Sequence, residues 1–156
     1  MALQRTVTGL TTKPELNQCL ARRRHAARLR GSGVDNMSSD ALRGRSILVV
    51  EEEPHVACGL ADGLRRAGAK VFAADKLRDA RYLAEHPALS AAVLNLRIGG
   101  DTTAGVCRRL AHLGVPFMLL TRHDASEACK RWPEAPVLSK PADSALVVDT
   151  VARLVH

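Results

Sequence analysis

Aromatic side chains are scarce in this chain: Trp132, Tyr82, Phe72 and Phe117 make up only 3% of it. So thin a supply argues against a stacking platform for single-stranded nucleic acid. Cysteine is nearly as sparse. Cys19, Cys58, Cys107 and Cys129 stand far apart with no CxxC pair, which speaks against a zinc ribbon or disulfide framework and fits a reducing cytosol. No apolar run approaches the ~20 residues needed to span a bilayer. The opening MALQRTVTGL lacks the long apolar stretch of a signal peptide. GLADGLRRAG carries glycines, but no GxGxxG follows a strand and no P-loop pattern occurs, so nucleotide-binding enzymes find no support.

What is present is one domain's worth of chain. It has 156 residues, 46% of them hydrophobic and 25% charged, a balance that folds as a globule. The formal charge is +7, and a chain this basic invites a nucleic-acid or anionic-membrane reading. The charge is unevenly spread, however. Residues 1–36 hold seven basic and two acidic side chains, leaving 16 and 14 for the rest. This front segment runs into RGSGVDNMSS, a Gly/Ser-rich linker pattern. Residues 1–44 therefore read as a basic extension, disordered or weakly helical over Pro14–Arg30, and 45–156 as the folded domain. Met37 is an alternative translation start, in which case the basic segment is not part of the protein.

From Ser46 onward the periodicity alternates between strand and helix. Ile47–Val50 is a short, wholly apolar, β-branched run of the kind buried on both faces. A helix follows Pro54, with Val56, Leu60, Leu64 and Ala67 on one stripe and Gly68 closing it. Lys70–Ala74 is a second strand, and Asp75 is expected to cap a helix carrying Leu77, Ala80 and Leu83. Ala91–Leu96 is a third strand, followed by a Gly99-Gly100 loop and a helix opening at Thr102/Thr103 with Val106, Leu110 and Leu113 inward. Pro116–Leu120 and Val137–Ser139 complete the strands. A weak helix over Ala125–Arg131 lies between them, and Asp143 leads into a last helix with Val147, Val151, Leu154 and Val155 on one face. Five strands alternating with five helices predict an α/β protein with a doubly wound parallel sheet.

In such a sheet the binding crevice lies beyond the carboxyl ends of the strands. Those ends carry Glu51, Glu52 and Glu53, then Asn95 and Arg97, then Thr121, then Lys140. Carboxylates, a hydroxyl and an ammonium converging there make a constellation suited to a hard divalent ion and a phosphoryl group. His55 and Cys58, three apart, lack the second pair that a transition-metal site needs.

With these residues in place, the sequence resembles the receiver domain of two-component response regulators, and most closely a stand-alone receiver of alphaproteobacterial type. ILVVEEEP resembles the first strand with its acidic pair at Glu51 and Glu52. AAVLNLRIGG resembles the third strand and phosphoacceptor loop, PFMLLT ends on a switch hydroxyl at Thr121, and VLSKPAD carries the lysine at Lys140. The resemblance implies a flavodoxin-like fold of strand order 2-1-3-4-5, and a Mg²⁺ site on the acidic pair and the backbone carbonyl of Arg97. It also implies contact with a histidine kinase, a phosphotransfer protein, another receiver or a second copy of the chain.

The departures decide the expected chemistry. The phosphoacceptor aspartate is replaced by Asn95, whose amide oxygen is neutral and weakly nucleophilic. Asp101, six residues on, reads as a helix-entry residue rather than a substitute acceptor. Glu51 and Glu52 are each one methylene longer than the usual aspartates, so any Mg²⁺ is expected to bind weakly. Lys140, deprived of its usual partner, should pair with Glu51 or Glu52. Val137 stands where many receivers carry an aromatic switch residue. Lys130, Arg131, Trp132 and Val137 mark the expected partner face, though Trp132 equally suits a role covering the sheet edge. The expected function is thus a non-enzymatic, cytoplasmic receiver of a phosphorelay, unphosphorylated at the usual position and acting by protein contact. The alternative is a nucleic-acid-associated protein working through its basic arm.

Overall fold

The computed structural model describes residues 40–122 and 125–156; the basic arm and the Met37 start lie outside them. Strands β1 (Ser46–Val50), β2 (Lys70–Ala74), β3 (Ala91–Asn95), β4 (Phe117–Thr121) and β5 (Val137–Ser139) form one parallel sheet. Its spatial order is β2-β1-β3-β4-β5, the order expected. Helices α1 (Pro54–Arg66), α2 (Leu77–Leu83), α3 (Ala104–His112), α4 (Ser126–Arg131) and α5 (Ser144–Val155) supply the crossovers.

Alternation along each strand divides the core into two layers. Leu48, Val50, Ala92, Leu94 and Leu119 face α2, α3 and α4, meeting Ala80, Leu83, Val106, Leu110 and Ala128. Ile47, Val49, Val93, Met118 and Leu120 face the other way, meeting Leu60, Ala61 and Leu64 of α1 and Val147 and Val151 of α5. A strand loaded on both sides has no polar face to offer, which is why β1 reads as an unbroken apolar run.

The folded unit reaches further toward the amino terminus than the composition suggested. Leu42 is fully buried and its amide donates to the Ala67 carbonyl at 2.7 Å, so residues 40–44 pack onto the domain. Gly68 supplies the left-handed turn after α1, with φ of 92°. Asp143 caps α5 by accepting from the Ala145 amide at 2.9 Å.

Three local expectations are corrected. Leu113 is exposed, not inward, because it caps the C-terminal end of α3 beyond the buried stripe of Val106 and Leu110. The residue capping α2 is Lys76, in extended conformation, not Asp75: the chain uses two residues to turn out of β2, so the helix begins at Leu77. Asp101 does not enter a helix either. Gly99 and Gly100 have φ of 60° and 83°, and this glycine pair closes a two-residue hairpin turn. A small antiparallel ribbon results, with Arg97 opposite Thr102 and Ile98 opposite Asp101, and α3 starts after Thr103.

Candidate functional site

The three consecutive glutamates leave the end of β1 in three directions. Glu51 turns inward beneath the sheet's carboxyl edge. Its Oε2 pairs with Lys140 Nζ, while Oε1 accepts from the Glu53 amide at 3.0 Å and from Asn95 Nδ2 at 3.4 Å. The two charged side chains are nearly sealed from water, 0% exposed for Glu51 and 6% for Lys140. The Asn95 amide nitrogen, not its oxygen, faces the carboxylate because two acceptors would repel. Lys140 thus pairs with Glu51, one of the two partners anticipated for it.

Glu52 is exposed and reaches the ribbon instead, accepting from the Gly99 amide at 2.7 Å. Glu53 pairs with Arg122 and lies 3.6 Å from Lys140 Nζ. Partial burial tends to raise the Glu53 carboxyl, but the charges of Arg122 and Lys140 and a hydrogen bond from Arg122 outweigh it and hold the group below its ordinary value. The Glu53–Arg122 pair was not anticipated. Arg122 directly follows β4, so the strand-end rule that picked out Thr121 extends to it by one residue.

Behind Asn95 the loop is pinned by Thr103, which is fully buried. Its hydroxyl donates to the Asn95 carbonyl at 2.8 Å and also lies 3.2 Å from the Leu96 carbonyl. Thr121 is buried at the end of β4, and its carbonyl accepts from the Lys140 amide at 2.7 Å. Asn95, Thr121, Thr103, Arg122, Cys107 and Trp132 line a cleft of about 530 Å³ that also reaches Glu52 and Glu53. Burial pushes the Cys107 thiol up to about 11.

The structure brings Glu51, Asn95, Thr121 and Lys140 to one end of the sheet, as the strand-end argument requires. It does not bring the acidic pair together as cation ligands. Both oxygens of Glu51 are occupied by protein donors, Glu52 is held on the Gly99 amide, and position 95 offers a neutral amide whose nitrogen faces inward. Arg97 is exposed, its guanidinium donating to the Gly100 carbonyl at 3.1 Å. No cluster of three His, Cys, Asp or Glu side chains suited to a metal occurs among the described residues. This donor set does not fit the hard divalent ion that the resemblance implies. His55 and Cys58 diverge as well, the first exposed and the second buried.

On the expected partner face, Lys130 and Arg131 are exposed, but Trp132 is half-buried. Its ring packs edge-on against Phe117, centroids 5.5 Å apart at 79°, and Val137 packs into the same layer. Trp132 therefore covers β4 instead of standing free, because α4 has only six residues and the residue that caps its C-terminus, Trp132 itself, turns straight back onto the sheet. No helix among the described residues is long and apolar enough to cross a membrane.

No family model matches the chain, and no curated protein matches it in sequence. Solved structures do resemble it. A response regulator receiver protein from Sinorhizobium medicae aligns at 23% identity and a TM-score of 0.67, covering 73% of this chain and 96% of its own. The non-phosphorylated HemR receiver domain from Leptospira biflexa aligns at 22% identity and 0.64, covering 71% and 94%. The receiver domain of Francisella response regulator 1452 aligns at 16% and 0.63, covering 71% and 96%. At these identities the likeness concerns architecture, and the described residues from β1 to α5 have the flavodoxin-like fold that these receiver domains share.

Proposed function

We propose that this chain is a receiver-like module of a two-component phosphorelay that is not phosphorylated at the usual position and acts by protein–protein contact. The observation that carries this reading is Asn95 at the end of β3, hydrogen-bonded to a Glu51 carboxylate that Lys140 already neutralises. The position that would need a charged oxygen nucleophile holds an amide. The lysine that would meet an incoming phosphoryl oxygen is engaged by a glutamate. A crevice wired in this way holds one state without phosphate. Its partners are then a histidine kinase, a phosphotransfer protein, another receiver or a second copy of the chain, met in the cytoplasm, with Lys130 and Arg131 of α4 offering exposed positive charge.

Incubation with acetyl phosphate and Mg²⁺, beside an Asn95→Asp variant, tests this reading. Acid-labile phosphate should accumulate on the variant alone. Stoichiometric phosphate on the unaltered chain would overturn it. A second reading, nucleic-acid association through the arm, is favoured by the basic excess of residues 1–36. Steeply salt-dependent DNA retention that disappears on deleting those residues would support it.

A further inference from the structure

The Lys140–Glu51–Asn95 group holds the parts of a reaction that a phosphate-binding role does not use. A primary amine and a carboxamide are gathered on one buried carboxylate, the amine on Oε2 and the amide nitrogen on Oε1 at 3.4 Å. We propose that Lys140 and Asn95 join in an intramolecular amide bond, formed by the protein itself with Glu51 as proton carrier.

The step balances without any co-reactant. Glu51 takes a proton from the Lys140 ammonium, and the freed amine attacks Cγ of Asn95. The Nζ–Cγ bond forms, Glu51 returns the proton to Nδ2 and the Cγ–Nδ2 bond breaks; the second proton of Nζ passes through Glu51 to the departing ammonia, which leaves as ammonium. The orientation of Asn95 suits this sequence, since its departing nitrogen is the atom that faces the acid. Fixing the amine and the amide on a shared partner replaces an encounter in solution by an internal reaction, where effective molarities on the order of 10⁵–10⁸ M are reached once the reacting atoms are aligned. Burial keeps water from Glu51 and Lys140, whereas Asn95 is half-buried on the cleft, so hydrolysis of its amide is the competing reaction. The other internal route open to an asparagine, cyclisation onto the following amide, is closed: the Leu96 nitrogen donates to the Leu120 carbonyl at 3.0 Å within the sheet. The product ties the end of β3 to the residue after β5, across β4. This bond does not depend on any signalling role, and the phosphate test above can fail or succeed independently of it.

The decisive measurement is the intact mass of the full chain, purified folded, incubated folded for several days and then denatured. The expected mass is that of the sequence less one ammonia. Trypsin should then release a branched species joining residues 82–97 to residues 132–153, because Arg81, Arg97, Arg131 and Arg153 flank these segments and Lys140 precedes a proline. Lys140→Arg should keep the full mass, and so should Glu51→Gln. A full-mass wild-type chain after incubation overturns the proposal, whatever the variants do. So does an ammonia loss that maps to any other pair of residues, or simple deamidation of Asn95.

Discussion

Lys140 and Glu51 form an ion pair almost wholly withdrawn from water, although they lie at opposite ends of the domain's sequence. Burying both charges is costly, and the pair is sustained by mutual attraction and by the Glu53 amide and Asn95 donating to the same carboxylate. Removing one member strands the other. Lys140→Met is therefore expected to cost about 3–5 kcal/mol in urea denaturation. Adding Glu51→Leu to that variant should recover much of the loss, since an apolar pair leaves no orphan charge. A single-variant cost under about 1 kcal/mol would mean that water reaches Glu51 freely.

Glu53 gives the site a pH dependence of definite sign. Its carboxyl lies below the ordinary 4.5 in the folded chain because the opposing charges of Arg122 and Lys140 outweigh its desolvation. Its contribution to stability is complete above the unfolded value and is lost as pH falls through the lower folded one. Glu53→Gln should thus lower the melting temperature at pH 7 and converge with the parent in strong acid. Parallel stability curves for the two chains between pH 7 and pH 3 would contradict the assignment.

Two cysteines provide a probe of the cleft. Cys107 is fully buried against Thr103 and burial holds its thiol up near 11, whereas Cys129 on α4 is exposed. At pH 8 the reactive thiolate of Cys107 is scarce as well as shielded. Iodoacetamide should modify Cys129 and leave Cys107 intact, as read by peptide mass. Equal labelling of the two would show that the cleft opens to solvent in the native state.

The strands and their order are legible in the sequence because burial on two faces leaves an apolar signature, as in Ile47–Val50, and because alternation with helices dictates parallel crossovers. Strand ends are legible as places, which brought Asn95, Thr121 and Lys140 forward. The directions taken there are not. Three identical glutamates carry no internal cue that Glu51 turns inward, Glu52 meets Gly99 and Glu53 meets Arg122, since each choice depends on a partner from a distant segment. The ribbon around Gly99-Gly100 escapes for another reason. Its pairing residues, Arg97, Ile98, Asp101 and Thr102, are too few to carry a period, so only the glycines show. Trp132 was ambiguous because α4 is too short for its residues to define a face.

Asn95 sets how the crevice responds to a cation, and restoring its carboxylate should expose this. In Asn95→Asp the atom replacing Nδ2, 3.4 Å from Glu51 Oε1, becomes an oxygen sharing a negative charge. Two like charges about 4 Å apart cost about 4 kcal/mol at an effective dielectric near 20. Lys140, already on Glu51, cannot neutralise both. The variant should melt below the parent at pH 7, and the gap should narrow toward pH 5 as one carboxyl of the pair takes up a proton. A divalent ion relieves the same repulsion by binding both oxygens. Added Mg²⁺ should therefore raise the melting temperature of Asn95→Asp while leaving that of the parent unchanged. An equal rise in both chains would show that Glu51 and Glu52 hold the ion without a third carboxylate, and that the amide at position 95 is not what excludes it.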